Sequence, residues 1–211
     1  DLQRRDTVEI SATCRIKDDV IPGDEFFSYL NTQWRSASVA IFADAEQFDP
    51  VQDSIKITID DPELTKTRTA ISPNGAQNAN QVVVGDTLFY QLDLLLPEGR
   101  TPGLIIRDTL PEGMTYAVGS ASVDTSSFGG TLLSTLEVST SGNGTSGNPQ
   151  IVRFSFSDVN VDANNDANDD NFLLSYNAVV QDLGVNAALS STQEKVNVAS
   201  LSFTGQEGDP L

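Results

Sequence analysis

Apolar residues recur at every second position through most of this chain, and that constrains its fold more than any other feature. In "GDTLFYQLDLLLP" the apolar set is Leu88, Tyr90, Leu92, Leu94 and Leu96. "GLIIRDTLP" repeats the pattern with Leu104, Ile106 and Leu110, and "NFLLSYNAVVQD" with Phe172, Leu174, Tyr176, Ala178 and Val180. "IVRFSFSD" sets Ile151 and Arg153 against Val152, Phe154 and Phe156, and "SIKITID" alternates Ile55, Ile57 and Ile59. A period of two is the signature of strands buried on one face. Turn residues separate the runs: Pro62, Pro73-Asn74-Gly75, Gly85-Asp86, Pro97-Glu98-Gly99, Pro111-Glu112-Gly113 and the Gly/Ser/Asn-rich stretch 141–149. No segment holds a 3.6 period. The expected class is all-β, an Ig-like antiparallel β-sandwich preceded by a β-rich half-module.

A weak internal repeat supports that division. "ISATCRIKDD" (10–19) aligns with "LSYNAVVQDL" (174–183), and "YLNTQWRS" (29–36) with "KVNVASLS" (195–202). Residues 1–59 then read as the C-terminal part of a preceding sandwich module, 60–62 as a joint, and 63–211 as a full module. The chain reads as a piece excised from a longer protein.

Composition narrows the function. Formal net charge is −18 over 211 residues. Such a chain repels nucleic acid and anionic lipid. No apolar run is long enough to span a membrane. Histidine is absent, which removes Ser/His/Asp and Cys/His catalysis and the usual zinc sites. No Gly-rich phosphate loop is present, and no organic cofactor is expected. The single cysteine, Cys14, forms no internal disulfide. Its alternation with Ile10, Ala12 and Ile16 predicts a small buried side chain. Trp34 is expected in the core, and "NGT" at 143–145 matches a glycosylation sequon by pattern only. The stretch 139–149 reads as an exposed tip.

Strand parity also points three polar residues inward. Lys66, one of four lysines, shares its face with Leu64. Asp108 shares its face with Leu104, Ile106 and Leu110, and Asn197 with Ala199, Leu201 and Phe203. Burial drives a lysine towards the neutral amine and an aspartate towards the neutral acid. A neutral amine is a nucleophile, and a protonated carboxyl polarises an amide carbonyl. Together with an asparagine, they are equipped to form a Lys–Asn amide and release ammonia, a single-turnover self-crosslinking. The bland alternative has Lys66 snorkelling to solvent and Asp108 opening the "DTLP" turn through backbone amides.

The succession "LTKT", "GDTLFYQLDL", "IIRDTLPEGMTYAVGSAS", "FLLSYNAVV" and "KVNVAS" resembles the tandem β-sandwich modules of bacterial surface adhesins and fimbrial proteins, the isopeptide-forming pilin and adhesin domains and their relatives. The resemblance covers about residues 62–204. It implies Lys66 as nucleophile, Asp108 as assisting acid and Asn197 as acceptor. In the family the closing Asn precedes a small residue and Ala; here Val198 stands at the small position. Asn31 in the half-module would need a lysine upstream of residue 1, so no bond is expected there.

An acidic ladder is the last feature. "DVNVDANNDANDDN" (158–171) sets Asp158, Asn160, Asp162, Asn164, Asp166, Asn168 and Asp170 at alternate positions. Calcium loops use oxygen ligands spaced in this way, but neither frame carries the EF-hand's glycine or closing glutamate. The metal reading names Asp158, Asn160, Asp162, Asn164, Asp166 and Asp170 as Ca2+ ligands; the alternative is a solvated acidic loop. Two further clusters are Asp18-Asp19 with Asp24-Glu25, and Asp60, Asp61 and Glu63 at the joint. The expected function is a structural spacer of a cell-surface adhesin, extracellular, non-enzymatic and partnered by neighbouring modules. A calcium-dependent module binding sugar or peptide is the alternative; the distal ligand stays unassigned.

Overall fold

The computed structural model describes residues 9–17, 19–33, 49–73, 81–183 and 195–205. Trp34 and Asp18 lie outside the described residues. Among those described there is no helix, and every strand pair is antiparallel. The expected all-β class is therefore what the chain forms.

Two sheets face each other. One contains β3 (Glu63–Ser72), β4 (Thr87–Leu95), β13 (Asn171–Val180) and β7 (Met114–Tyr116) in that order, with β8 (Ser122–Asp124) also pairing β13. The other runs β10 (Glu137–Ser141), β11 (Ile151–Ser155), β6 (Ile105–Thr109), β14 (Val198–Ser202). A smaller sheet runs β5 (Gly99–Pro102), β12 (Asp158–Val161), β9 (Gly130–Leu132). The inward residues of all three form one core: Leu88, Leu92, Leu94, Leu174 and Tyr176 from the first, Ile106, Val152 and Phe154 from the second, Val159 and Val161 from the third. Phe154 meets Tyr176 across the sandwich, their ring centroids 5.3 Å apart. In the two larger sheets the inward positions follow the parity read from the sequence, because the pleat sends alternate side chains to opposite faces; Val159 and Val161 lie in a segment read as an acidic ladder.

Residues 20–33 and 49–58 contribute a separate hairpin, β1 (Glu25–Thr32) against β2 (Val51–Thr58). Residues 59–62 connect it to β3 outside any strand. The register puts Phe26, Leu30, Val51, Ile55 and Ile57 on one face, yet all five are exposed. Phe27 and Tyr29 stack on the other, beside the Lys56–Glu25 ion pair. Val20 anchors this region to the sandwich: its carbonyl accepts from the Arg100 amide at 2.8 Å. Gly99 allows the approach, since a Cβ there would lie 2.7 Å from the Val20 oxygen, and its φ of +114° disfavours any side chain.

Three expectations are corrected. Cys14 is exposed, not buried. Residues 9–17 form no strand, and Ile10 and Ile16 are exposed with it; alternation creates an inner face only where a second sheet covers it. The repeat alignment accordingly sets an uncovered run over β13, a central buried strand. Finally, residues 139–141 are exposed as expected but belong to β10, so the loop itself begins at Gly142.

A Lys–Asp–Asn cluster on the sandwich edge

β3 and β14 are the edge strands of the two facing sheets on the same side. Lys66 comes from β3, directly opposite Leu92 of β4. Asp108 comes from β6, flanked by Val152 of β11 and Ala199 of β14. Asn197 immediately precedes β14. The three meet at the hydroxyl of Tyr176, a residue of the central strand β13.

The geometry is specific. Lys66 Nζ donates to Asp108 Oδ2 and lies 3.1 Å from the Tyr176 hydroxyl oxygen. Tyr176 donates to Asp108 Oδ2 at 2.6 Å. Asn197 Nδ2 donates to the Tyr176 oxygen at 3.3 Å. Lys66 Nζ also sits 4.7 Å from the centroid of the Tyr90 ring. Asp108 and Tyr176 are wholly buried, whereas the Lys66 side chain keeps 14% of its exposure. The alternative for these residues fails: Lys66 does not snorkel free, and Asp108 sits in a strand bonded to side chains, not at a turn.

Burial sets the electrostatics. It pushes the Lys66 ammonium down from its ordinary pKa, with the charge and hydrogen bond of Asp108 opposing. It pushes the Asp108 carboxyl up, with the charge of Lys66 and bonds from Lys66 and Tyr176 opposing. Both shifts run towards the uncharged forms and so narrow the gap that a proton must cross from amine to acid. Tyr176 is pushed up, by burial first and by the Asp108 charge, so it stays protonated. Tyr90 is also raised, chiefly by burial, with a hydrogen bond from Asn197 working against it. Two buried acceptors in the cluster have no donor: Asp108 Oδ1 and Asn197 Oδ1. A buried oxygen left unpaired costs about 1–3 kcal/mol.

Sequence parity brought out Lys66, Asp108 and Asn197 but missed Tyr176 and Tyr90. Both lie at inward positions of apolar runs, where a tyrosine reads as bulk. The available signal was the phenol hydroxyl itself, which needs a partner when the ring is buried.

The acidic ladder is divided by the fold. Its first four residues are β12, whose Val159 and Val161 enter the core while Asp158 pairs with Arg100 at 2.8 Å. Beyond it, Asp162 and Asn164 begin a series of tight turns. Asp166 accepts from the Asn168 amide at 3.1 Å, and Asn164 Nδ2 donates to Asp169 at 2.9 Å. Asp170 is buried, and its carboxyl is pushed up by burial and then by Glu98, Asp169 and Asp166. In the N-terminal cluster, Asp24 accepts from the Ile21 amide at 3.0 Å and Glu25 pairs with Lys56. Among the described residues, no group of three or more acidic, His or Cys side chains converges as a metal site.

No protein-family model matches the chain, and no curated protein does. Several solved structures resemble it. The major pilin BcpA of Bacillus cereus is 15% identical with a TM-score of 0.43, over 87% of this chain and 52% of that one. The collagen-binding domain of the Erysipelothrix rhusiopathiae surface protein RspB is 13% identical with a TM-score of 0.35, over 90% of this chain and 52% of that one. The major pilin SpaA of Corynebacterium diphtheriae is 11% identical with a TM-score of 0.37, over 66% of this chain and 42% of that one. The chain spans about half the length of these structures. What it presents in its own right is an all-β sandwich with a lysine, an aspartate and an asparagine gathered around one buried phenol where its two edge strands meet.

Proposed function

We propose that this chain is a structural module of an extracellular bacterial surface protein, its first and last sandwich strands joined by an amide between Lys66 and Asn197. One observation carries the proposal: Lys66, Asp108 and Asn197 converge on the Tyr176 hydroxyl in a site whose burial works against the charge on both the lysine and the aspartate. A structural ion pair has no use for the asparagine, nor for acceptor oxygens left unpaired on both Asp108 and Asn197.

The chemistry is self-contained. Asp108 takes a proton from the Lys66 ammonium. The protonated acid then has a donor to offer the Asn197 carbonyl oxygen, which polarises it. The Lys66 nitrogen lone pair attacks Asn197 Cγ, and the bond from Cγ to Nδ2 breaks. The proton lost from Nζ passes through Asp108 to the departing nitrogen, which leaves as ammonia. One amine and one amide become one amide and one ammonia, with no oxidant or cofactor. The reaction happens once per chain, so the protein turns over no substrate.

The physical use follows from the topology. β3 begins the sandwich and β14 ends it, each the edge of a different sheet. Tension along the chain peels edge strands from their partners; an amide between them carries that tension instead. This suits a spacer that holds a distal domain away from the cell, and the net charge of −18 keeps such spacers apart and soluble.

The test is the intact mass of the denatured chain. A species one ammonia lighter than the sequence is expected, with the Lys66 and Asn197 peptides joined after digestion. The loss should vanish in Lys66→Ala and Asp108→Ala. A wild-type chain at full sequence mass would sink the proposal.

A further inference from the structure

We propose that Tyr176 is a fourth member of the reactive set, holding nucleophile, acid and leaving group through its single hydroxyl. The inference rests on the crosslinking reading above.

A phenol offers one proton and two lone pairs. All three are used here. The proton goes to Asp108 Oδ2 at 2.6 Å, and the oxygen accepts from Lys66 Nζ at 3.1 Å and from Asn197 Nδ2 at 3.3 Å. These are the atom that attacks, the group that moves the proton, and the atom that leaves. Core packing alone would be met by phenylalanine. The hydroxyl is wholly buried, and the cluster repays its loss of water in full.

The ring is held rigidly enough to act as a gauge. Tyr176 lies in β13, paired on one side with β4 and on the other with β7 and β8. Its ring stacks on Tyr90 at 5.3 Å and is flanked by Phe154 at 5.3 Å and Tyr116 at 6.2 Å. Lys66 and Asn197, by contrast, come from edge elements. A central strand therefore supplies the reference point on which two edge strands are aligned. Holding reactants in a productive geometry is where much of such a barrier is overcome.

The groups facing Asp108 are Lys66 from β3 and Tyr176 from β13, with Tyr90 of β4 beside them under the influence of Arg68. Within its own sheet its neighbours are Val152 and Ala199, neither titratable, while Arg107 and Arg153 are exposed on the outer face. The bond from Tyr176 holds the Asp108 carboxyl down. Removing it lets Asp108 keep its proton to higher pH.

The experiment follows intact mass against time in chains made by cell-free synthesis and quenched at intervals, over a range of pH. Wild type, Tyr176→Phe and the uncrosslinkable Asn197→Ala are compared. Tyr176→Phe is expected to form the same product about 10- to 100-fold more slowly, with the alkaline limb of its rate–pH profile displaced upward. A packing defect has no reason to move that limb. A Tyr176→Phe chain with the wild-type rate and profile overturns the proposal while leaving the crosslink intact. A wild-type chain that never loses ammonia defeats the crosslink itself, and this inference falls with it. If Tyr176→Phe does not fold, a difluorotyrosine at position 176 keeps the shape and strengthens the donor. The limb should then move to lower pH, and an unmoved limb overturns the proposal.

Discussion

Removing the proposed amide should cost the module about as much as its loop closure is worth. The bond joins residue 66 to residue 197 and closes a loop of about 130 residues in the unfolded chain, which chain-entropy reasoning values at about 5 kcal/mol. For a sandwich of about 150 residues that corresponds to a fall of roughly 10–20 °C in Tm. The perturbations are Lys66→Met, Asn197→Ala and the two together, read by thermal melts and by guanidinium unfolding. Each single variant breaks the same bond, so each should lose roughly the full 5 kcal/mol. The double variant should lose little more. Two variants that add, the double falling by the sum of the singles, would refute the reasoning, because independent side chains add and partners in one bond do not. So would singles within about 1 kcal/mol of a wild type already one ammonia lighter, since the closed loop would then contribute nothing measurable.

Other expectations rest on single sites. Phe154→Ala empties a wholly buried position packed on Tyr116 and Tyr176, and should cost about 3–5 kcal/mol in denaturant unfolding. Asp170 has its carboxyl raised in the folded state, so its charge opposes folding. Stability should therefore fall as pH rises from the unfolded-state pKa through the higher folded one, with the full penalty above both. Asp170→Asn should remove that dependence from melts run between pH 3 and pH 7, roughly the range that brackets a raised carboxyl; an unchanged profile would refute it. Cys14 is exposed and should react with a thiol reagent in the native protein as fast as in the unfolded one. Protection until denaturation would show that the 9–17 run is covered after all.

Period-two alternation made the sandwich legible because a buried pleat leaves no choice of face. The same rule found Lys66, Asp108 and Asn197, each a polar residue at an apolar beat. It could not find Tyr176, since a tyrosine at an apolar beat breaks no pattern. The rule also overreached at Cys14 and at Ile55 and Ile57, where the alternation is real but no described element covers the face. Facing sheets are a property of topology, which local pattern does not carry. In the acidic ladder, the valines at 159 and 161 carried the strand signal, and the aspartates between them drew the reading towards a loop. Burial of those two valines in the core decided that segment.

The meeting of β3 and β14 at one open side has a consequence for assembly errors. A protein made of similar sandwiches in series has interchangeable edge strands, and an edge strand that leaves its own sheet can be replaced by its counterpart from a neighbour. Exchange of that kind needs a strand to come away whole. A strand tied to the far end of its own module cannot be lent. The amide would therefore act as a mark of ownership, fixing which β3 belongs with which β14 soon after each module folds. Chains crowded together could then pack side by side without trading parts.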